Sequence, residues 1–396
     1  MNENVIKTEL TKLRMRELNL SGKSITDEAL QAKRFDDDIT MISLSYNQIQ
    51  NLENVRFPDG LQQLYLAYNR IQNIDNVRFP DGLRRLCLHR NLIKNLDNAR
   101  FSYGLQELYL HDNFIQNLDN VLFPDGLQQL YLSRNQIQNL DNIRFPNGLR
   151  ILYLSTNQIQ NLENVRFPDG LQVLSLRNNQ IKNLYNVRFP DGLRDLFLSY
   201  NQIQNLDNVR FPDGLQELYL YNNQIKNLEN VRFPDGLREL YLGSNQIKNV
   251  DHVQFPDGLR ELYLGHNLIK NLDNVRFPDG LQELYLSENQ IKNLDNVRFP
   301  DGLQELYLYG NQIQNLDINM CWVLPSTKIY AENELINAIR KSTQNMAAIR
   351  IQHCYCQHLI RRNRAALTIQ IQYVAYSYRI HGVAYQNAMK QHIEIT

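Results

Sequence analysis

Apolar and polar positions along this chain recur every 22 residues over most of its length. In the copy Leu61 to Gly82, LQQLYLAYNRIQNIDNVRFPDG, the triplet Leu64-Tyr65-Leu66 alternates. That predicts a short strand with the two leucines on one face and Tyr65 on the other. Leu61, Leu64, Leu66, Ile71, Ile74, Val77 and Phe79 then form seven apolar positions per copy, all predicted to face one continuous core. Asn69 follows the strand, where the chain must bend. A buried amide there can satisfy backbone groups of its own and the neighbouring turn, so its predicted role is structural. Phe79-Pro80-Asp81-Gly82 closes the copy, with Pro80 expected at the first central position of a turn. Glycines fall at 60, 82 and onward every 22 residues to 302, and asparagines from 47 to 311. A fixed period in this range predicts a solenoid, because one unit cannot bury its own apolar face. Two copies drift: Ser102 replaces the Pro in one and Asn147 the Asp in another.

The ends differ from this pattern. Residues 1–17 read as an N-terminal cap, with Val5, Ile6, Leu10 and Leu13 at roughly helical spacing. Leu18-Asn19-Leu20 and Ile25 make a degenerate first copy, with Lys23 at the Asn position. The repeat stops after Asp317, so the solenoid is expected over 18–317. Residues 318–343 are expected to cap it: Met320, Cys321, Trp322, Val323 and Leu324 cover the open core, and Pro325-Ser326-Thr327 reads as a helix start. In 344–396, Ala347, Ile351, Tyr355 and Leu359 share one helical face, and Ala366, Ile369, Tyr373, Tyr376 and Ile380 continue it.

The pattern LxxLxLxxNxIxxL resembles leucine-rich repeats. In length it resembles the 22-residue class of a protein phosphatase 1 regulatory subunit and of bacterial internalins. The resemblance implies an α/β solenoid: a horseshoe of about 14 coils with a parallel β-sheet on its concave side. The segment NVRFPDG departs from those classes. It is too short and too rich in Pro and Gly for an α-helix, so extended or 3₁₀ structure is expected on the convex side. In the tail, the frame AAxxIQ occurs at Ala347-Ala348 with Ile351-Gln352, and at Ala365-Ala366 with Ile369-Gln370. It resembles IQ motifs, which implies a calmodulin-like partner. Arg361 and Arg379 match the later basic residue of each frame. The earlier basic residue and its Gly are replaced by Cys356-Gln357 and Val374-Ala375. A helix folded onto the end of the solenoid is the other reading of this segment.

Composition changes the picture in one respect. The chain has 42 basic and 42 acidic residues, but residues 318–396 hold nine of the basic and three of the acidic ones. The tail is therefore +6 and the remainder −6. An acidic body argues against nucleic-acid binding. The four cysteines form no CxxC pair. The N-terminus has no apolar signal core, and no apolar run reaches the ~20 residues of a membrane span. A cytoplasmic protein with reduced thiols is expected, without a cofactor. The near-identical copies and the Asn/Ile/Lys/Tyr bias suit a gene family of a large DNA virus or a protist.

Candidate binding residues lie on the exposed strand face. Its middle position is aromatic at Tyr65, Tyr109, Tyr131, Tyr153, Phe197, Tyr219, Tyr241, Tyr263, Tyr285 and Tyr307, with Cys87 and Ser175 interrupting. Beside it runs an acidic column of Glu107, Asp195, Glu217, Glu239, Glu261, Glu283 and Glu305. The two positions after each strand vary most, Arg90 and Arg177 among them. Tyrosine offers large contact area at small entropic cost, and the acids would select a basic segment. Tyr is also a good strand residue that stacks in any parallel ladder, so duplication alone would copy it. His89 and His111 sit one coil apart and with Cys87 are a conceivable metal set, against which chance meeting of variable positions is weighed. No phosphate loop, HExxH or nucleophile elbow occurs. The chain reads as a non-enzymatic scaffold that binds protein on its concave face and a second partner through its tail. A regulatory subunit of an enzyme such as a phosphatase is the alternative.

Overall fold

A computed structural model describes residues 16–294, 297–313 and 327–331. Among the described residues, fifteen parallel strands follow one another in sequence order in a single sheet. They run from β1 (Arg16–Asn19) and β2 (Ile39–Ser43) through three-residue strands, β3 (Gln63–Tyr65) to β14 (Glu305–Tyr307), to β15 (Lys328–Tyr330). Equivalent residues pair between copies, so Leu64 lies opposite Leu86 and Tyr65 opposite Cys87. The seven predicted core positions of the Leu61 copy are all buried, and the same columns are buried along the stack, with Phe101 and the terminal Leu18, Leu20 and Ile313 half-buried. Each such leucine contributes roughly 1.5–3 kcal/mol by leaving water.

The asparagine column joins the coils. Asn69 Nδ2 donates to the carbonyls of Leu66 and Ala67 in its own coil, at 3.0 and 3.3 Å, and to that of Leu44 in the preceding coil at 3.0 Å. Its Oδ1 accepts from the Ile49 N–H at 3.1 Å. The pattern is kept as far as Asn311, which bonds the Leu286 and Leu308 carbonyls and the Ile291 N–H. The residue just before each of these asparagines lies in the left-handed region, with φ between 52° and 59° from Tyr46 to Glu288. Side chains as unsuited to that region as Thr156 occupy it. A hydrogen bond to the next coil holds the conformation, as from the Tyr68 N–H to the His89 carbonyl. Only the terminal coils use glycine here, Gly22 and Gly310.

The far side of each coil is built of turns and extended chain. No 3₁₀ helix occurs there among the described residues, so that part of the expectation is corrected. The closing turn also sits one residue later than the sequence suggests. The Leu83 N–H donates to the Pro80 carbonyl at 3.0 Å, so Asp81 and Gly82 are the central pair. The glycine is needed for space. A Cβ at Gly192 or Gly236 would lie 2.7 Å from the Asp169 or Asp213 carbonyl oxygen of the coil before. Where Ser102 replaces the Pro, the same turn forms, and its Oγ donates to the Asp81 and Leu83 carbonyls.

Ring spacings show which way the stack bends. Between the same two coils, Tyr219 and Tyr241 are 4.2 Å apart on the sheet side, and Phe233 and Phe255 are 6.3 Å apart on the other. Two coils further along, the values are 3.9 Å for Tyr263–Tyr285 and 6.0 Å for Phe277–Phe299. The coils fan outward away from the sheet, which is therefore concave.

Both ends hold surprises. The longer first coil contains a helix, α1 (Asp27–Gln31), capped by Thr26 and packing Leu30 into the core. The predicted helix start at Ser326-Thr327 is followed instead by β15, whose Lys328-Ile329-Tyr330 pairs in register with Glu305-Leu306-Tyr307. This triplet copies the repeat's own strand pattern of polar, apolar, aromatic, and an open strand edge next to it takes precedence over a local capping signal.

Replacing one ladder asparagine tests its structural role. Asn179→Ala strands the Leu154 and Leu176 carbonyls and the Ile159 N–H, each now bonded at 3.0 Å. The expected loss in urea-monitored stability is about 3 kcal/mol or more. The exposed control Gln172→Ala should stay within about 0.5 kcal/mol. A cost for Asn179→Ala no larger than the control's would remove the ladder from the account of stability.

Candidate functional site

The concave face carries the predicted aromatic ladder in three pieces. Tyr65 stands alone at one end. Tyr109, Tyr131 and Tyr153 stack at 4.4 and 5.2 Å. Beyond Ser175, Phe197, Tyr219, Tyr241, Tyr263, Tyr285 and Tyr307 stack at 3.9–4.7 Å. Tyr330, which the sequence reading missed, extends that stack at 4.3 Å. Its signal was the Lys-Ile-Tyr triplet outside the 22-residue frame. Cys87 and Ser175 are both buried between the rings. Desolvation pushes the Cys87 thiol up to about 12, so it is no thiolate at neutral pH.

The acidic column is tied to the rings. The Tyr109 hydroxyl donates to Glu107 at 2.8 Å, Tyr285 to Glu283 at 2.8 Å and Tyr307 to Glu305 at 2.6 Å. Tyr219 reaches two carboxylates, Glu217 at 3.1 Å and Glu239 at 3.2 Å, and Tyr241 reaches Glu239 and Glu261. Burial first, then the Glu217 and Glu239 charges, hold the Tyr219 hydroxyl well above an ordinary phenol. The phenols thus stay protonated and donate.

The two ends of the column are neutralised and the middle is not. Arg85 clamps Glu107 with two 2.8 Å bonds and also lies 3.3 Å from the Tyr65 hydroxyl. Burial of Glu107 opposes its ionisation, but the Arg85 and Tyr109 bonds prevail and hold it below the usual carboxylate range. Lys328 lies 3.1 Å from Glu305. Asp195, Glu217, Glu239, Glu261 and Glu283 have no salt bridge among the described residues. Desolvation raises Asp195, and desolvation with the Asp195 charge raises Glu217. Arg85 and Lys328 are the candidate-site side chains that the sequence reading missed. Both occupy the register position of the acids, so aligning the copies by column finds them.

The variable positions form a second rim. Arg90 lies 4.8 Å over the Tyr68 ring and 3.8 Å from Asp112, and Arg177 lies 4.9 Å over Tyr200. His89 and His111 do meet, as parallel rings 4.3 Å apart. Burial, then the neighbouring His111, lowers His89 to about 4. Among the described residues no group of three His, Cys, Asp or Glu suits a metal ion. Ile351, Gln352, Arg361, Ile369, Gln370 and Arg379 of the IQ-like tail lie outside the described residues. No described helix is long and apolar enough to cross a membrane.

Family profiles described as leucine rich repeat match residues 103–159, and those described as leucine rich repeats in two copies match 213–255 and 279–319. No curated protein matches the sequence. Solved structures agree on the fold. YopM from Yersinia enterocolitica WA-314 is 21 % identical with TM-score 0.55, over 82 % of this chain and 76 % of its own. The internalin InlF from Listeria monocytogenes is 21 % identical with TM-score 0.54, over 80 % and 86 %. The leucine-rich repeat domain of APL1B is 23 % identical with TM-score 0.60, over 83 % and 92 %. The matched stretches are leucine-rich repeats and the fold is that of leucine-rich repeat solenoids, which typically mediate protein–protein contacts.

The raised carboxylates fix a pH dependence. A carboxylate whose folded pKa is raised adds stability below its ordinary pKa and loses it as pH rises through the raised value. At pH 7 Asp195 and Glu217 are thus a burden on the fold. Asp195→Asn and Glu217→Gln should each raise the urea midpoint at pH 7, and the gain should vanish in acid below the ordinary carboxylate range. A pH-independent difference from the native chain would contradict this.

Proposed function

We infer that this protein is a non-enzymatic scaffold whose concave face binds a basic segment of a protein partner. The observation that carries this reading is the row from Asp195 to Glu283, which has no salt bridge among the described residues. It holds five half-buried carboxylates, one per strand about 4.8 Å apart, beside an unbroken run of stacked rings. Like charges at that spacing repel, and a line of Lys or Arg relieves the repulsion while its stems lie along the ring edges. The ring edges supply contact area with little entropy left to lose, because stacking has already fixed the rotamers.

A fluorescein-labelled peptide of alternating lysine and alanine is the probe. The full chain should bind it saturably in low salt, more weakly as salt rises. The double variant Glu239→Gln with Glu261→Gln should lose about tenfold in affinity, since each exposed pair is worth roughly 0.2–1 kcal/mol. Unchanged affinity would sink the reading.

The +6 tail is a second docking element in this proposal, for a partner of calmodulin type. Its support is the Arg-rich amphipathic pattern with Ile351-Gln352 and Ile369-Gln370. The full chain should retain Ca²⁺-loaded calmodulin, and Ile351→Asp with Ile369→Asp should abolish retention. A native chain that retains none refutes the tail's role.

A further inference from the structure

The aromatic ladder breaks twice, and the two breaks differ. At Cys87 the gap is bridged. Arg85 spans from the Tyr65 hydroxyl to Glu107 across that strand. At Ser175 no side chain among the described residues bridges it. Val173 stands where Arg85 stands in the first break, and Ile151 precedes it, so the acidic column is interrupted at the same place. The Ser175 hydroxyl turns aside to Ser155 Oγ at 2.6 Å. A depression of about 690 Å³ opens here, with Ser175 on its floor, Tyr153 and Phe197 on either side, and Arg134 and Arg177 among its other walls.

The width of this slot is set by the sheet. Tyr153 and Phe197 lie on strands either side of Ser175, two strand spacings or about 9.6 Å apart. Rings elsewhere in the ladder repeat at 3.9–5.2 Å. The slot is therefore one ring wide, and an inserted ring would stack on both neighbours at the ladder's own spacing. Ile151 and Val173 place no charge in the column beside the slot. The other rim is cationic: Arg177 rests on Tyr200 and has no carboxylate partner among the described residues, and Arg134 makes only a 3.9 Å contact with Asp112.

We propose that the slot over Ser175 is a specificity pocket that takes one aromatic side chain of a protein partner, with an adjacent carboxylate of that partner set against Arg177. The proposal rests on the scaffold reading above and adds direction to it. The aromatic and acidic part of the ligand lies at Ser175, and its basic part runs along Asp195 to Glu283. The bound partner's ring, at that one position, would complete the ring stack from Tyr109 to Tyr330.

The test uses the full chain, the variants Ser175→Tyr and Arg177→Gln, and three probes followed by ligand-observed NMR. These are acetyl-Tyr-Glu-amide, acetyl-Tyr-Gln-amide and acetyl-Leu-Glu-amide. The native chain should bind the first in the millimolar range or tighter and the leucine probe about tenfold more weakly. Ser175→Tyr fills the slot from within and should weaken acetyl-Tyr-Glu-amide by about tenfold or more. Arg177→Gln should weaken acetyl-Tyr-Glu-amide about threefold and leave acetyl-Tyr-Gln-amide unchanged. Ser175→Tyr should also unfold at a higher urea concentration than the native chain, a readout that needs no ligand. Equal binding of the tyrosine and leucine probes, equal binding to native and Ser175→Tyr chains, or a lowered midpoint for Ser175→Tyr would each overturn the pocket. The lysine–alanine peptide, run alongside, separates the two ideas. If it binds while acetyl-Tyr-Glu-amide does not, the slot is refuted and the acidic strip stands. If only acetyl-Tyr-Glu-amide binds, the slot stands and the strip is refuted.

Discussion

The buried asparagine amide is the constraint on which this fold depends. A chain that leaves a strand and bends away from it exposes carbonyls and an N–H inside an apolar core, and leaving such groups unpaired is costly. One Asn per coil meets three carbonyls and one N–H, and it does so across two coils. The bond to the preceding coil fixes the register of the stack. It also requires the next coil to bring its own Asn to the same place, which holds the period at 22. Gly192 and its equivalents serve the same stacking from the other side, by letting backbones approach where a Cβ would collide. Stability is then close to a sum over neighbouring coils. A single lost amide is felt by two of them.

Curvature follows from what fills each side. Strand pairing holds the sheet side at the strand spacing, and Tyr rings stack there at 3.9–5.2 Å. On the opposite side, Phe rings in the core sit 5.9–6.5 Å apart. The tyrosines thus have a function in the bend itself, whatever they bind. Their hydroxyls hold the carboxylates beside them, so aromatic and acidic columns form one surface with little rotamer freedom. A partner that meets this surface finds it already ordered, which lowers the entropic cost of binding.

The core was legible because burial imposes the same demand on every copy. Leu61, Leu64, Leu66, Ile71, Ile74, Val77 and Phe79 were assigned from spacing alone, and the structure buries all seven. Asn69 was legible for the same reason. What spacing does not encode is which carbonyl accepts a given N–H. The closing turn therefore proved to be centred on Asp81-Gly82, one residue beyond the Pro-led expectation. The left-handed residue before each Asn was hidden because its side chain varies freely: a bond to the next coil, rather than glycine, holds it. β15 was hidden by an insertion that breaks the 22-residue frame. On the candidate site, the positions of the rings and acids were legible, but their hydroxyl–carboxylate ties were not. Neither was the neutralisation of Glu107 and Glu305, since it depends on single departures at Arg85 and Lys328.

Departures of that kind carry the information about partners. Columns that are uniform serve the stack and would be the same whatever the protein bound. A ladder copied by duplication has no reason to lose a ring, and losing one forfeits two stacking contacts. At Cys87 a compensating Arg85 closes the gap, so that break leaves a continuous surface. At Ser175 the two residues that would have carried charge are Ile151 and Val173, and the gap stays open between Tyr153 and Phe197. Three changes in adjacent coils, all in the direction of an apolar opening one ring wide, are harder to assign to drift than any one of them. In the proposed reading, the divided face, cationic around Arg134 and Arg177 and anionic from Asp195 on, would give a bound segment one favoured direction along the solenoid.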